Sequence, residues 1–145
     1  MPVPLGPVAP SPEHTDPWAW HEMASLQPGE MRRRRLIDLG PDGSVFATFR
    51  DTHVEPDGTE RVLHEYTLTA RLDGGRLTGC VATPRVLPWH ECPDAAASAG
   101  RLDGIRPDQV HQVMKGARGL GTCTHLNDLL RSLAGLDHLA PMVRR

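Results

Sequence analysis

The sequence predicts an α+β fold, with an antiparallel β-meander followed by three helices packed on one face of the sheet. Two observations carry that expectation. Residues 31–84 form strand-like runs separated only by short Gly/Pro/Asp turns, and beyond Pro88 the punctuation and periodicity become helical. Strand runs followed by helical runs segregate into a sheet and a helical layer.

The elements follow in order. Residues 1–30 hold half of the prolines and few aliphatics beyond Val3, Leu5, Val8 and Leu26. Such a segment buries too little apolar surface to offset its ordering entropy, so a disordered tail is expected there. Trp18 and Trp20 are its two candidates for docking on the domain or on a partner. A single domain is expected over 31–140, with a short tail at 141–145. Its first strand is MRRRRLIDL, Met31–Leu39, closed by the turn Gly40-Pro41-Asp42-Gly43. The four arginines suggest a charged, protected sheet edge rather than a phosphate-binding patch.

Three more strands are expected at Ser44–Asp51, Arg61–Leu72 and Arg76–Pro84. The separators EPDGT and DGG supply hairpin glycines. Along the third run Val62, His64, Tyr66, Leu68 and Ala70 share one face, while Leu63, Glu65, Thr67 and Thr69 share the other. Short turns between consecutive strands imply antiparallel pairing. The first helix is expected from Cys92-Pro93 through an alanine-rich segment to a stop at Gly100. The second runs from Pro107 to Gly116. In the third, THLNDLLRSLAG, Leu126, Leu129, Leu130 and Leu133 form an apolar stripe ending at Gly135.

Composition bounds the function. The 145 residues suit one domain, and at 4% aromatics its core must be mostly Leu, Val and Ala. A formal net charge of −2 argues against a nucleic-acid or anionic-membrane partner. No apolar run reaches the roughly 18 residues of a membrane span, and the N-terminus lacks the pattern of a secretory signal. A cytoplasmic protein with reduced cysteines is expected, acting on a small molecule or a protein partner.

Two clusters carry the candidate chemistry. GTCTHLNDLL places Cys123 at the mouth of the third helix, where the helix dipole lowers a thiol's pKa. Thr122 or Thr124 serves as its N-cap. His125 and Asp128 lie three apart on one helical face, so Asp128 could orient the imidazole. Alternatively, Cys123 is a small buried residue and the other two solvate the surface. LPWHEC places His90 and Cys92 before the first helix. If the helix starts converge, Cys92, Cys123, His90 and His125 form a Cys2His2 set for zinc or iron, although the one-residue spacing is tighter than that of zinc fingers. Thiol redox chemistry or a Cys92–Cys123 disulfide is the rival use. His64 and Glu65 are further contributors, and Cys80 reads as plain core.

The run containing Arg33, Asp38, His64-Glu65-Tyr66, Arg85-Val86-Leu87-Pro88, Cys92 and Cys123-Thr124-His125-Leu126-Asn127-Asp128 resembles an uncharacterised bacterial family, domain of unknown function family 2889. That resemblance implies no activity. The order of HEYTLTARLDGGRLTGCVATPRVLPWHEC, an alanine-rich helix and a cysteine opening a late helix is similar to the NifU/SufE-type iron–sulfur scaffold fold. That resemblance implies cluster-related roles for Cys92 and Cys123. The scaffold's earlier cysteine has no counterpart, and Leu63, His64 and Glu65 occupy its region.

Three functions follow as expectations. One is a metal site for zinc, iron or an iron–sulfur group, with Cys92, Cys123, His125, His90, His64 and Glu65 as candidate ligands. Another is a metal-free enzyme using Cys123, or His125 with Asp128, on a small acyl or aromatic substrate. The third is a non-catalytic interaction module that uses the proline-rich tail.

Overall fold

Burial alternates along much of 62–70, as expected for a strand with one covered face, while residues 47–49 are buried in succession in the middle of the sheet. The computed structural model describes residues 23–88, 92–116 and 123–143, the side chains of 92–94 excepted. Four antiparallel strands stand side by side in chain order: β1 (Met31–Leu39), β2 (Ser44–Val54), β3 (Glu60–Asp73) and β4 (Arg76–Val86). β1 therefore lies at an edge, as its charge suggested. The turns explain this simple topology. Gly74 and Gly75 both adopt positive φ, 54° and 76°, which suits the two-residue hairpin joining β3 to β4. At Gly43 (φ 83°) the backbone passes so close to β3 that an added Cβ would lie 2.6 Å from the Leu72 carbonyl oxygen. Only glycine fits both requirements there.

β4 runs into a 3-10 helix, Cys92–Leu102, where an α-helix was expected. Its buried residues Ala95, Ser98, Ala99 and Leu102 include two pairs three apart, the repeat of a 3-10 helix. These mostly small side chains let the segment lie close to β4. The chain that follows then covers part of the β4 edge. Leu77 N donates to Ile105 O at 2.8 Å, Gly104 N to Leu77 O at 2.7 Å, and Cys80 N to Asp103 Oδ1 at 2.8 Å. Gly100 does not stop the helix; the positive φ of 80° falls at Gly104 instead.

A 3-10 turn, Pro107–Gln109, leads into α1 (Val110–Gly116). α2 (Thr124–Ser132) begins after Cys123, which takes the N-cap place expected of a threonine. Its backbone is extended, with φ −106° and ψ 132°, and its carbonyl accepts the first helical bond from Asn127 N at 2.8 Å. Leu126, Leu129, Leu130 and Leu133 are all fully buried, as the stripe predicted. Gly135 does not end the helical layer. It lies in a 3-10 turn, Leu133–Gly135, without the positive φ of a helix stop, and the chain continues into α3 (Leu136–Val143). Leu136 extends the core across this joint.

The core lies between the sheet and the helices. Phe49, Tyr66, Leu68 and Leu77 come from the sheet and meet Leu102, Met114 and the α2 leucines. Aromatics are few in the chain, yet Phe49 and Tyr66 are the two largest fully buried side chains among the described residues. Cys80 is buried beside them, as expected of a core cysteine, and burial together with Asp103 pushes its thiol up to about 12. Leu129→Ala should leave a cavity under α2 and destabilise the protein by about 2–5 kcal/mol. The expected reading is a lower urea midpoint with an unchanged slope of free energy against denaturant.

Candidate functional site

Strand register assembles the site. Arg33 on β1 pairs with Asp51 on β2, and Asp51 pairs with His64 on β3, so these three residues form one rung across the sheet. They project from the helix-covered face, continuing the parity of Val45, Ala47 and Phe49. A register shift immediately follows Asp51. The extra residue this admits on β3, Leu63, interrupts the ladder beside the rung, a common position for bulges near functional groups. α2 then lays His125, in its first turn, over the rung.

Asp51 is the unusual member, a carboxylate only 2% exposed. A buried charge requires a partner with good geometry. Arg33 supplies one through two parallel bonds, Nε to Oδ1 and Nη2 to Oδ2, each 2.7 Å. Those bonds, more than any other influence, raise the pKa of the Arg33 guanidinium. The same guanidinium lies 4.9 Å above the centre of the Phe49 ring, a cation–π contact.

The two imidazoles stack, with ring centres 3.5 Å apart and planes 20° from parallel. His125 also meets Phe49 edge-on at 5.9 Å. Both rings turn a nitrogen toward the same carboxylate oxygen. His64 Nδ1 is 3.9 Å and His125 Nε2 is 3.8 Å from Asp51 Oδ2. These separations exceed hydrogen-bond length, and His64 Nδ1 is buried with no hydrogen-bond partner. Burial pushes His64 down to about 4, with His125 adding to the shift, and burial also lowers His125. Asp51 favours the protonated form of each ring. Desolvation outweighs it, with the Arg33 charge acting in the same direction, so both rings are neutral near pH 7 and these contacts are not ion pairs.

One carboxylate oxygen and two imidazole nitrogens, all within 4.8 Å of one another, form a candidate divalent-metal ligand group. Four-coordinate zinc with bonds of about 2.0–2.1 Å spaces its ligand atoms about 3.4 Å apart, so modest inward closure of the three side chains suffices. Arg33 does not exclude such an ion. A carboxylate has about four acceptor sites and the guanidinium takes two.

The remaining sequence candidates divide. Cys123 Sγ lies 3.9 Å from His125 Nδ1, the ring nitrogen farther round from Asp51. Asp128 does not act as the expected orienting partner of His125. Its carboxylate receives Arg33 Nη1 and Arg35 Nη1, each at 3.3 Å. Glu65 points to the opposite sheet face and pairs with Arg50 at 2.9 and 3.1 Å, away from the cluster. His90 and the side chain of Cys92 lie outside the described residues, as do Trp18 and Trp20. Asp51 and Arg33 were missed as site residues. The signal for Asp51 was its parity, since it continues an apolar face while carrying a charge that is rarely buried unpaired.

A family model described as "Protein of unknown function (DUF2889)" matches residues 31–137. The chain belongs to this family. The matched DUF2889 stretch contains Arg33, Asp51, His64, Cys123, His125 and Asp128. No curated protein and no solved structure matches the chain, so the likeness to NifU/SufE scaffolds has no structural neighbour behind it. Among the described residues, no helix is long and apolar enough to cross a membrane.

The lowered imidazole has a consequence for stability. His64 binds its proton near pH 6.5 when unfolded and only near pH 4 when folded. Across that window the unfolded chain holds more protons, so stability is complete above pH 6.5 and falls as the pH drops toward 4. Thermal melts in chelator-containing buffer should show a steadily falling Tm over this range, with a shallower decline in His64→Gln.

Proposed function

We propose that this protein binds a divalent transition metal, zinc or iron(II), through Asp51 Oδ2, His64 Nδ1 and His125 Nε2. The observation that carries this reading is the convergence of the two neutral imidazole nitrogens on one buried carboxylate oxygen, with His64 Nδ1 otherwise orphaned. Metal ligands must be deprotonated to bind, and burial keeps both rings in that state. Two histidines and one carboxylate leave coordination positions open, as in hydrolytic zinc sites and non-haem iron(II) sites. Such an ion would supply Lewis-acid polarisation or, as iron, redox chemistry. Arg33 holds the Asp51 carboxylate in place, and Cys123 stands at the other nitrogen of His125, where an outer partner fixes the ring's tautomer. An iron–sulfur version of the site would draw on Cys92 and Cys123, supported by the order and spacing of those cysteines.

The test is metal analysis of the full chain purified without chelator, followed by Co(II) titration. About one equivalent of zinc or iron is expected, with Co(II) affinity falling by at least about tenfold in His125→Gln. His125 is partly exposed on α2, so the variant should fold. Chelation should lower Tm, because an ion present at about a hundred times its Kd stabilises by about 2.7 kcal/mol. Metal content below about a tenth of an equivalent, no Co(II) binding and an unmoved Tm would overturn the proposal.

The Cys123–His125 approach supports a second reading, a metal-free thiol enzyme in which neutral His125 draws the Cys123 proton to act on a small acyl substrate. Under that reading Cys123 should react with iodoacetamide at pH 7 well above the rate of a model thiol, and His125→Gln should remove the excess. A rate equal to that of the model thiol removes this alternative.

A further inference from the structure

The Asp51 cluster is flanked by a second feature that metal ligation does not use. β1 alternates its arginines between the faces, so Arg33 and Arg35 both project toward α2. Both reach the same Asp128 carboxylate with one nitrogen each, at 3.3 Å. Charge-assisted bonds of good geometry are about 2.7–2.9 Å long, as on the Asp51 side of Arg33, so the Asp128 contacts are loose. The side chains are also open to solvent: Arg33 and Arg35 are each 46% exposed and Asp128 27%. A carboxylate can therefore leave this place and another can enter it.

Charge gives the reason for exchange. The charged groups that ion pairs join at this corner are Arg33, Arg35, Asp51 and Asp128, two cations and two anions. His64 and His125 add nothing when neutral. Arg50 and Glu65 neutralise each other on the other sheet face. These four groups balance without a metal and would carry a surplus of two positive charges with a divalent ion bound. Resting on the metal reading above, we propose that the site takes a small organic acid, whose carboxylate displaces Asp128 and lies between Arg33 Nη1 and Arg35 Nη1 beside the metal. The anion class is a carboxylate because the place is already shaped to a carboxylate, approached by two guanidiniums that suit its planar oxygens.

Isothermal titration of the Co(II)-loaded full chain tests this, with succinate as the probe because it holds Co(II) only weakly in solution. The Co(II) affinity of each variant, titrated first, sets the metal occupancy at which succinate is added. Succinate is expected to bind the loaded protein at least about tenfold more tightly than the metal-free protein, since the surplus charge is close and partly desolvated. Arg35→Gln should weaken succinate by about tenfold, the usual loss for a hydrogen bond between charged groups. Asp128→Asn should strengthen it by removing the resident competitor, a change that loss of a merely structural contact would not produce. Equal succinate affinity with and without Co(II), an unaltered affinity in Arg35→Gln, or tighter binding of inorganic phosphate than of succinate would each overturn the inference while leaving the metal site standing. Failure of Co(II) itself to bind would overturn both.

Discussion

The burial of the Asp51 carboxylate is the constraint on which the rest of the site depends. A charge this far from water is tolerable only with full compensation, and the protein provides it from a single neighbour, the Arg33 guanidinium on the adjacent strand. That pairing accords with the register of β1 on β2, ties the sheet edge to the core, and leaves part of the carboxylate facing two imidazoles. Loss of the arginine would leave the anion uncompensated against Phe49 and both rings. The four-arginine block is thus divided by strand parity. Arg33 and Arg35 neutralise carboxylates on the helix side, while Arg32 and Arg34 lie on the other face.

The helical layer completes what the sheet begins. α2 is held by three fully buried leucines and by Leu133 in the turn that follows, and that packing sets where His125 rests. With the leucines seated, the first turn of the helix places its imidazole against that of His64. The stacked rings and the Phe49 edge shield one another from much of the water, and this desolvation lowers the proton affinity of both histidines. Hydrophobic packing therefore acts on the chemistry through desolvation, turning two weak bases into two lone-pair donors at neutral pH.

Asp128 shows the same economy at the rim. As the nearest carboxylate on α2 it might have oriented His125, yet the two arginines projecting from β1 draw it more strongly than a neutral imidazole can. The result ties α2 to the edge strand and places two guanidiniums next to a site suited to a cation. One side chain, Arg33, touches both carboxylates, so under the proposed reading it would link affinity for an ion to affinity for an anion.

The sequence by itself determined the four strands, their meander order and the leucine stripe, because hairpin glycines and apolar periodicity are local signals. It also singled out His64, Cys123 and His125. It misread Gly100 and Gly135 as stops, since a glycine ends a helix only where the chain adopts positive φ, and packing of Leu102 and Leu136 carried the chain past both. Asp51 and Arg33 were legible only as a strand terminus and a charged edge. Their partnership needs the register between β1, β2 and β3, which joins residues far apart in the chain. The tertiary structure alone decided that His125 rests on His64 and that Asp128 turns to the arginines. Those choices depend on distance and desolvation, quantities that exist only once the core has closed.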